Sequence, residues 1–159
     1  ALSHFVYQRL HPRIIEVGQH PDGSLRDRHL WQLAPLAPQT YALRMDAALD
    51  FAAAAEFERA IVESLARQPD LRHVCLFAHA INRIDATGVD TFFKLRGQLG
   101  VRGITLHLSG VKLPVETALR RAGALEAGPW LVEYRTDAEA LAALSRLAVL
   151  PDDIAAAAI

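Results

Sequence analysis

The segment Asp85-Ala86-Thr87-Gly88 places a carboxylate, a hydroxyl and a glycine directly before a predicted helix. The apolar run before it has the length of a buried strand, and the apolar residues from Val89 to Leu99 recur at helical spacing. The first amides of a helix lack acceptors within that helix. This segment could therefore cap the helix, bind an anion, or carry a phosphoryl group on Thr87. The residues alone leave all three roles open.

The remaining polar residues do not form a motif for catalysis or metal binding. The 7 histidines lie in the irregular N-terminal third or in and beside predicted strands, without helical pair spacing: His4, His11, His20, His29, His73, His79 and His107. Asp46 and Asp50 flank a helix start, where carboxylates satisfy first-turn amides. The sequence lacks a phosphate-binding glycine loop and a serine nucleophile motif. We therefore predict no catalytic residue, no metal site, no cofactor and no enzyme activity.

Composition indicates one soluble globular domain. The chain has 159 residues, a net charge of -1, 52% hydrophobic residues and 22% charged residues. A nucleic-acid-binding protein would normally have a basic excess or a basic stripe, so we predict no nucleic-acid partner. The sequence contains neither a recognisable signal peptide nor the roughly 20 successive apolar residues of a membrane span. The one cysteine, Cys75, lies in an apolar run, which excludes a disulfide framework and favours a reducing compartment.

The elements that position the Asp85 segment alternate regularly after an irregular first third. Strands are predicted at 12–19, 40–46, 72–78, 104–109 and 130–134, and helices at 51–68, 85–100, 113–123 and 136–147. A strand pair followed by repeated α-β units indicates an α/β fold with a mixed central sheet. Ten apolar residues are predicted to form its core: Phe57, Ile61, Val74, Leu76, Phe92, Leu95, Leu106, Leu108, Leu119 and Leu141.

Two stretches, "INRIDATGVDTFFKL" and "GITLHLSGVKLPVETALRRAG", resemble the STAS domain. Bacterial anti-sigma-factor antagonists and the cytoplasmic tails of SulP-family anion transporters share this domain. The stretches "HPRIIEVGQHPDGSLRDRHLWQLAP" and "LRMDAALDFAAAAEFERAI" are similar to the opening of the transporter tails. One departure is Ala53, where the transporter tails often have Asn.

The resemblance implies a fold, a division of the chain and a site. The fold is the STAS fold, in which about four or five helices pack mainly on one face of the mixed sheet. Residues 1–11 would be a linker after an absent membrane domain, 12–148 the STAS domain, and 149–159 a C-terminal tail that begins near a Pro-Asp-Asp break. Asp85, Thr87 and Gly88 would form the regulatory loop, because the residue before the loop glycine is the phosphoacceptor in the antagonists. Asp90, Thr91 and Lys94 would form an interaction surface beside that loop.

The leading functional hypothesis is a regulatory and interaction domain of a bacterial SulP-type transporter of sulfate, bicarbonate or a dicarboxylate. The resemblance implies that its partners are its own membrane domain, a cytosolic protein and a second copy within a full-length homodimer. It would lie on the cytoplasmic side of the inner membrane. The alternative is a free-standing anti-sigma-factor antagonist switched by phosphorylation of Thr87. A weaker alternative, resting on family analogy alone, is a nucleotide-sensing module.

Overall fold

The structure, a computed structural model, describes the backbone of residues 2–4, 6 and 14–157 and the side chains of these residues up to residue 147. Residues 2–4 and 6 are helical. From residue 14 to residue 157, six strands and four helices follow each other: β1 (Ile14–Gln19), β2 (Leu25–Asp27), β3 (Thr40–Met45), α1 (Phe51–Arg67), β4 (His73–Phe77), α2 (Ala86–Val101), β5 (Thr105–Ser109), α3 (Leu113–Arg121), β6 (Leu131–Tyr134) and α4 (Asp137–Ala157). The predicted linker 1–11 lies largely outside the described residues.

The strands form one mixed sheet in the order β2-β1-β3-β4-β5-β6. Strand β1 is antiparallel to both β2 and β3, whereas β3, β4, β5 and β6 are parallel to their neighbours. Each parallel step is connected by one helix, as crossover connections require. The predicted α/β class and mixed sheet are confirmed.

Helices α1, α2 and α3 cover one face of the sheet, and α4 covers the other. The larger apolar cluster joins these three helices to side chains such as Leu43, Leu76 and Leu108. The smaller cluster joins Ala140 and Leu144 of α4 to Cys75 and Phe77 of β4. Because β4 is buried on both faces, it reads in the sequence as a continuous apolar run. Helix packing mainly on one face agrees with the STAS fold.

Nine of the ten predicted core residues are buried, and Leu141 is the exception. Leu141 is half-buried at the edge of the smaller cluster, whereas Ala140 and Leu144 are fully buried. Residues four apart lie on the same helix face, so this pair sets the rotation of α4 against the sheet. The prediction placed Leu141 in the core, and its neighbour Ala140 is buried there instead. Leu141 and Leu144 are both apolar and three residues apart, so the sequence pattern did not show which rotation of α4 the sheet would select.

Two further features differ from the sequence-based expectation. Strand β2 was not predicted, because three residues containing Arg26 and Asp27 carry too little apolar alternation to indicate a strand. In the turn between β1 and β2, Gly23 adopts φ +89°, a conformation that glycine accepts without strain. The expected break at Pro151 is absent, since α4 continues to Ala157. A proline removes one helical hydrogen bond, which weakens a helix without always ending it.

Candidate functional site

Asp85 connects the first turns of two helices. It is the N-cap of α2, where Oδ1 accepts a hydrogen bond from the Gly88 amide at 2.8 Å. Its Oδ2 accepts a second hydrogen bond from the amide of Phe51, the first residue of α1, at 2.9 Å. Both amides lack helical acceptors, so one carboxylate satisfies a donor at each helix start. The capping role of Asp85 was foreseen, but its bond to α1 was not.

A short parallel bridge holds the two segments that precede these helices together. Leu49 bridges Ile84, and the Leu49 amide donates to the Arg83 carbonyl at 2.9 Å. The Asp85 amide donates to the Leu49 carbonyl at 3.3 Å. Asp50 separately caps α1, because its Oδ1 accepts from the amides of Ala52 and Ala53, both at 3.1 Å. Backbone pairing between these two segments thus holds the loop in place in addition to the side-chain caps.

Gly88 is required by the close approach of this bridge. A Cβ atom at position 88 would lie 2.0 Å from the Leu49 carbonyl oxygen and 2.8 Å from Cγ1 of Ile84. The first contact is with backbone that is itself held in the bridge, so no side-chain movement could relieve it. Gly88 is buried and permits the contact between the starts of α1 and α2.

Thr87 is held differently from its neighbours. It is exposed in the first turn of α2, and among the described residues no group is hydrogen-bonded to its hydroxyl. Asp85, not Thr87, therefore supplies the cap. Asp85 and Gly88 are structural in this arrangement, whereas the Thr87 side chain is exposed to solvent.

The predicted interaction residues follow Thr87 along one side of α2. Asp90 and Lys94 are exposed and Thr91 is half-buried. Positions 87, 90, 91 and 94 have the three- and four-residue spacing of neighbours on a helix surface. Lys94 Nζ lies 2.7 Å from Glu58 Oε1 of α1, so Lys94 forms an ion pair with Glu58. The structure places these residues beside the loop, and their role as an interaction surface stays a prediction.

A shallow cavity of about 270 Å³ adjoins the loop and adds two residues that were not predicted. Phe51 is 73% exposed and Arg83 is also exposed, and both line this cavity with Asp85. Phe51 stands three residues before buried Ala54, so helical spacing predicts a core position for it. Only the three-dimensional placement reveals an exposed aromatic ring and guanidinium group beside the loop. Such a pair suits contact with another protein surface.

The histidines give no metal site within the described residues. No group of three or more His, Cys, Asp or Glu side chains among these residues could hold a metal ion. His73 and His107 do meet, with Nδ1 and Nε2 3.0 Å apart, and His107 Nδ1 lies 2.9 Å from the Tyr134 hydroxyl. Burial, with a smaller effect of His73, lowers the pKa of His107 to about 4. His107 is therefore neutral at physiological pH, and it is the buried member of a partly buried hydrogen-bond chain.

Ser109, Asp137 and His79 also lie close together, but in an order that does not activate the serine. Ser109 Oγ donates to Asp137 Oδ1 at 2.7 Å, and His79 Nδ1 lies 3.7 Å from Asp137 Oδ2. A nucleophilic serine needs the histidine next to its hydroxyl, where it can take the proton. Here the carboxylate stands between them, and the contact ties β5 to the start of α4.

A family model gives the most direct comparison with known proteins. The model described as the STAS domain matches residues 34–135, which include β3 to β6, the Asp85 loop and the three helices between those strands. The chain belongs to the STAS domain family. The sequence resemblance is thereby confirmed at the level of the family. A search of curated proteins found no match.

Solved STAS structures of two kinds are similar to the chain. The murine anion transporter Slc26a9, in its inward-facing state, matches 91% of the chain with a TM-score of 0.74 and 13% identity. The chain spans 24% of that transporter's length. A sulfate transporter family protein from Wolinella succinogenes matches 77% of the chain over 98% of its own length, with a TM-score of 0.60 and 20% identity. At these identities the likeness shows the fold.

The second kind is an anti-sigma factor antagonist. SpoIIAA in its unphosphorylated form matches 67% of the chain and 89% of its own length, with a TM-score of 0.54 and 18% identity.

In the described part of this chain, no helix is long and apolar enough to cross a membrane.

Proposed function

We propose that the chain is the cytoplasmic regulatory and interaction domain of a bacterial SulP-type anion transporter. The observation that carries this proposal is the extent of the structural match. The transporter structure accounts for 91% of the chain, whereas SpoIIAA uses 89% of its own length to account for only 67% of it. The family model begins at residue 34, after the hairpin of β1 and β2. Added structure outside the shared region favours a transporter domain over a free-standing antagonist.

In this proposal the domain has no turnover of its own, and the anion passes through a membrane domain on the same polypeptide. The domain supports folding, trafficking, dimer arrangement or regulation of that membrane domain. It lies on the cytoplasmic side of the bacterial inner membrane. The transported anion is sulfate, bicarbonate or a dicarboxylate.

The Asp85 loop supports this role because Asp85 and Gly88 hold its backbone in place while the Thr87 side chain is exposed. Asp85 and Gly88 join the starts of α1 and α2. Thr87 is exposed on this loop, and its hydroxyl makes no hydrogen bond within the described part of the chain. A partner that contacts Thr87, Asp90 and Lys94 therefore binds a surface of fixed geometry. The membrane domain is the first such partner, and a cytosolic protein is the second.

A free-standing antagonist switched by phosphorylation is the second candidate function. Its support is the exposed Thr87 hydroxyl, which a kinase could reach without unfolding the loop. A phosphoryl group there would lie in the first turn of α2, where the helix dipole favours negative charge.

The coding sequence upstream of Ala1 distinguishes the two candidates. The transporter proposal expects a continuous reading frame that encodes several apolar segments of about 20 residues each. A start codon within a few residues of Ala1 would exclude it and favour the antagonist.

A further inference from the structure

An exposed apolar groove runs between α1 and α2, away from the Asp85 loop. The cavity measures about 820 Å³, and Val62 of α1 with Phe93 and Val101 of α2 form much of its lining. These three side chains are 49%, 47% and 90% exposed. Isolated exposed apolar residues are ordinary, but a contiguous set lining one groove indicates a binding surface. We call this surface the α1–α2 groove.

The apolar residues of the groove recur at helical intervals. Phe93, Gly97 and Val101 are four residues apart on α2, and Val62 and Ala66 are four apart on α1. The groove therefore follows two helix axes for about two turns each. A Cβ atom added at Gly97 would have no heavy atom within 4 Å, so the backbone of a partner can approach the middle of the groove closely. A partner helix with its own four-residue spacing would match this periodicity.

The two ends of the groove carry different charges. At the end nearer the Asp85 loop, Lys94 and Glu58 form an ion pair that neutralises both. At the other end, Arg102 lines both the groove and an adjoining cavity of about 430 Å³ that Arg72 also lines. Arg72 and Arg102 are exposed, and no carboxylate within the described residues forms an ion pair with either.

We propose that the α1–α2 groove binds an amphipathic helix of a partner protein, with apolar side chains along the groove and acidic side chains against Arg72 and Arg102. Charge complementarity selects an acidic partner over a basic one, and the helical periodicity of the lining selects a helix over an extended strand. Guanidinium groups pair with carboxylates in a fixed, bidentate geometry, which would set the direction of the bound helix.

This site adjoins the surface assigned to Thr87 and shares Lys94 with it, but most of its lining lies farther along the two helices. Helices α1 and α2 both begin at the Asp85 loop, and the groove lies along their later turns, towards Arg102. The inference therefore holds for a transporter domain and for an antagonist alike. Its failure would leave the proposed function untouched.

The probe is a fluorescein-labelled synthetic peptide with leucines at i, i+4, i+7 and i+11, glutamates elsewhere near its C-terminal half, and alanines between. Binding to the complete 159-residue chain is measured by fluorescence anisotropy. Two control peptides are a scrambled sequence of the same composition and a version with every glutamate replaced by lysine. We expect the acidic amphipathic peptide to bind at least about tenfold more tightly than either control, and less tightly as salt is raised.

Variants of the chain locate the peptide. Gly97→Leu fills the open centre of the groove, and it suits a helix interior better than glycine does, so its melting temperature should equal or exceed that of the parent. It should weaken peptide binding at least about tenfold. The double variant Arg72→Glu/Arg102→Glu should do the same, whereas Arg121→Glu, an exposed residue of α3 outside the groove, should leave binding unchanged.

The proposal is overturned if Gly97→Leu folds and binds the peptide as the parent does, or if the scrambled peptide binds equally well. It is also overturned if sedimentation shows that the parent chain dimerises at micromolar concentration and Gly97→Leu is monomeric, because the occupant would then be a second copy. Loss of binding in Gly97→Leu and the double variant, with binding retained in Arg121→Glu, supports it.

Discussion

The carboxylate of Asp85 and the hydroxyl of Thr87 lie two residues apart and contribute to the structure in different ways. Asp85 accepts hydrogen bonds from amides of both α1 and α2. Among the described residues, Thr87 makes no side-chain hydrogen bond. Residue types alone could not separate the two, since both are favoured near helix starts.

This difference predicts unequal effects on stability. Asp85→Ala removes a cap and leaves the Phe51 amide without its acceptor, so it should lower the free energy of unfolding by about 1–3 kcal/mol. Thr87→Ala should change it by no more than about 0.5 kcal/mol. Urea unfolding of the two variants measures both effects. Equal losses would show that the Thr87 hydroxyl shares the capping role.

His107 gives the domain a pH-dependent stability. Burial and His73 lower its pKa to about 4, below the ordinary value near 6.5, so the folded chain binds fewer protons than the unfolded chain. Above about pH 6.5, His107 is neutral in both states and the free energy of unfolding has its full value. As the pH falls from about 6.5 towards 4, protonation of the unfolded chain lowers the free energy of unfolding by at most about 1.4 kcal/mol per pH unit for one proton.

Urea unfolding between pH 7 and pH 4 tests this, with His107→Gln as the variant and exposed His4→Gln as its control. His107→Gln should flatten the pH dependence relative to the parent, and His4→Gln should not. An unchanged slope in His107→Gln would place the titrating group elsewhere.

At the scale of elements, the buried strands and the amphipathic helices could be predicted because each must hide an apolar face in a fixed period. Strand β2 could not, since it is held by pairing with β1 and not by its own pattern. The bridge between Leu49 and Ile84, and the bond from Asp85 to Phe51, join residues about 35 positions apart. No local pattern specifies such contacts, and they account for the part of the site that the sequence left open.

Two neighbouring phenylalanines of α2 test the assigned helix rotation. Phe92 is 2% exposed in the core, whereas Phe93 is 47% exposed in the α1–α2 groove. Phe92→Ala should destabilise the fold by about 3–5 kcal/mol, and Phe93→Ala by less than about 1 kcal/mol. Thermal and urea unfolding of the pair measures the contrast. A larger loss in Phe93→Ala would mean that α2 is rotated differently on the sheet.

At the scale of the whole molecule, family membership and fold follow from the motifs and their order, because the STAS fold places them on successive α-β units. The proposed transport role rests on the structural match outside the residues covered by the family model. The division into linker 1–11, domain 12–148 and tail 149–159 stays a prediction. Helix α4 continues through the predicted tail boundary, to Ala157.

The central claim is that Thr87 is a regulatory contact of a transporter domain. Its most direct test is anion uptake by the full-length protein carrying Thr87→Glu, compared with Thr87→Ala and Ala127→Glu at equal membrane abundance. Ala127 is exposed and outside the loop, so its variant adds the same charge elsewhere. We predict that the three isolated domains melt within a few degrees of the parent and that uptake changes severalfold only in Thr87→Glu. Unchanged uptake in Thr87→Glu, or an equal change in Ala127→Glu, would contradict the account.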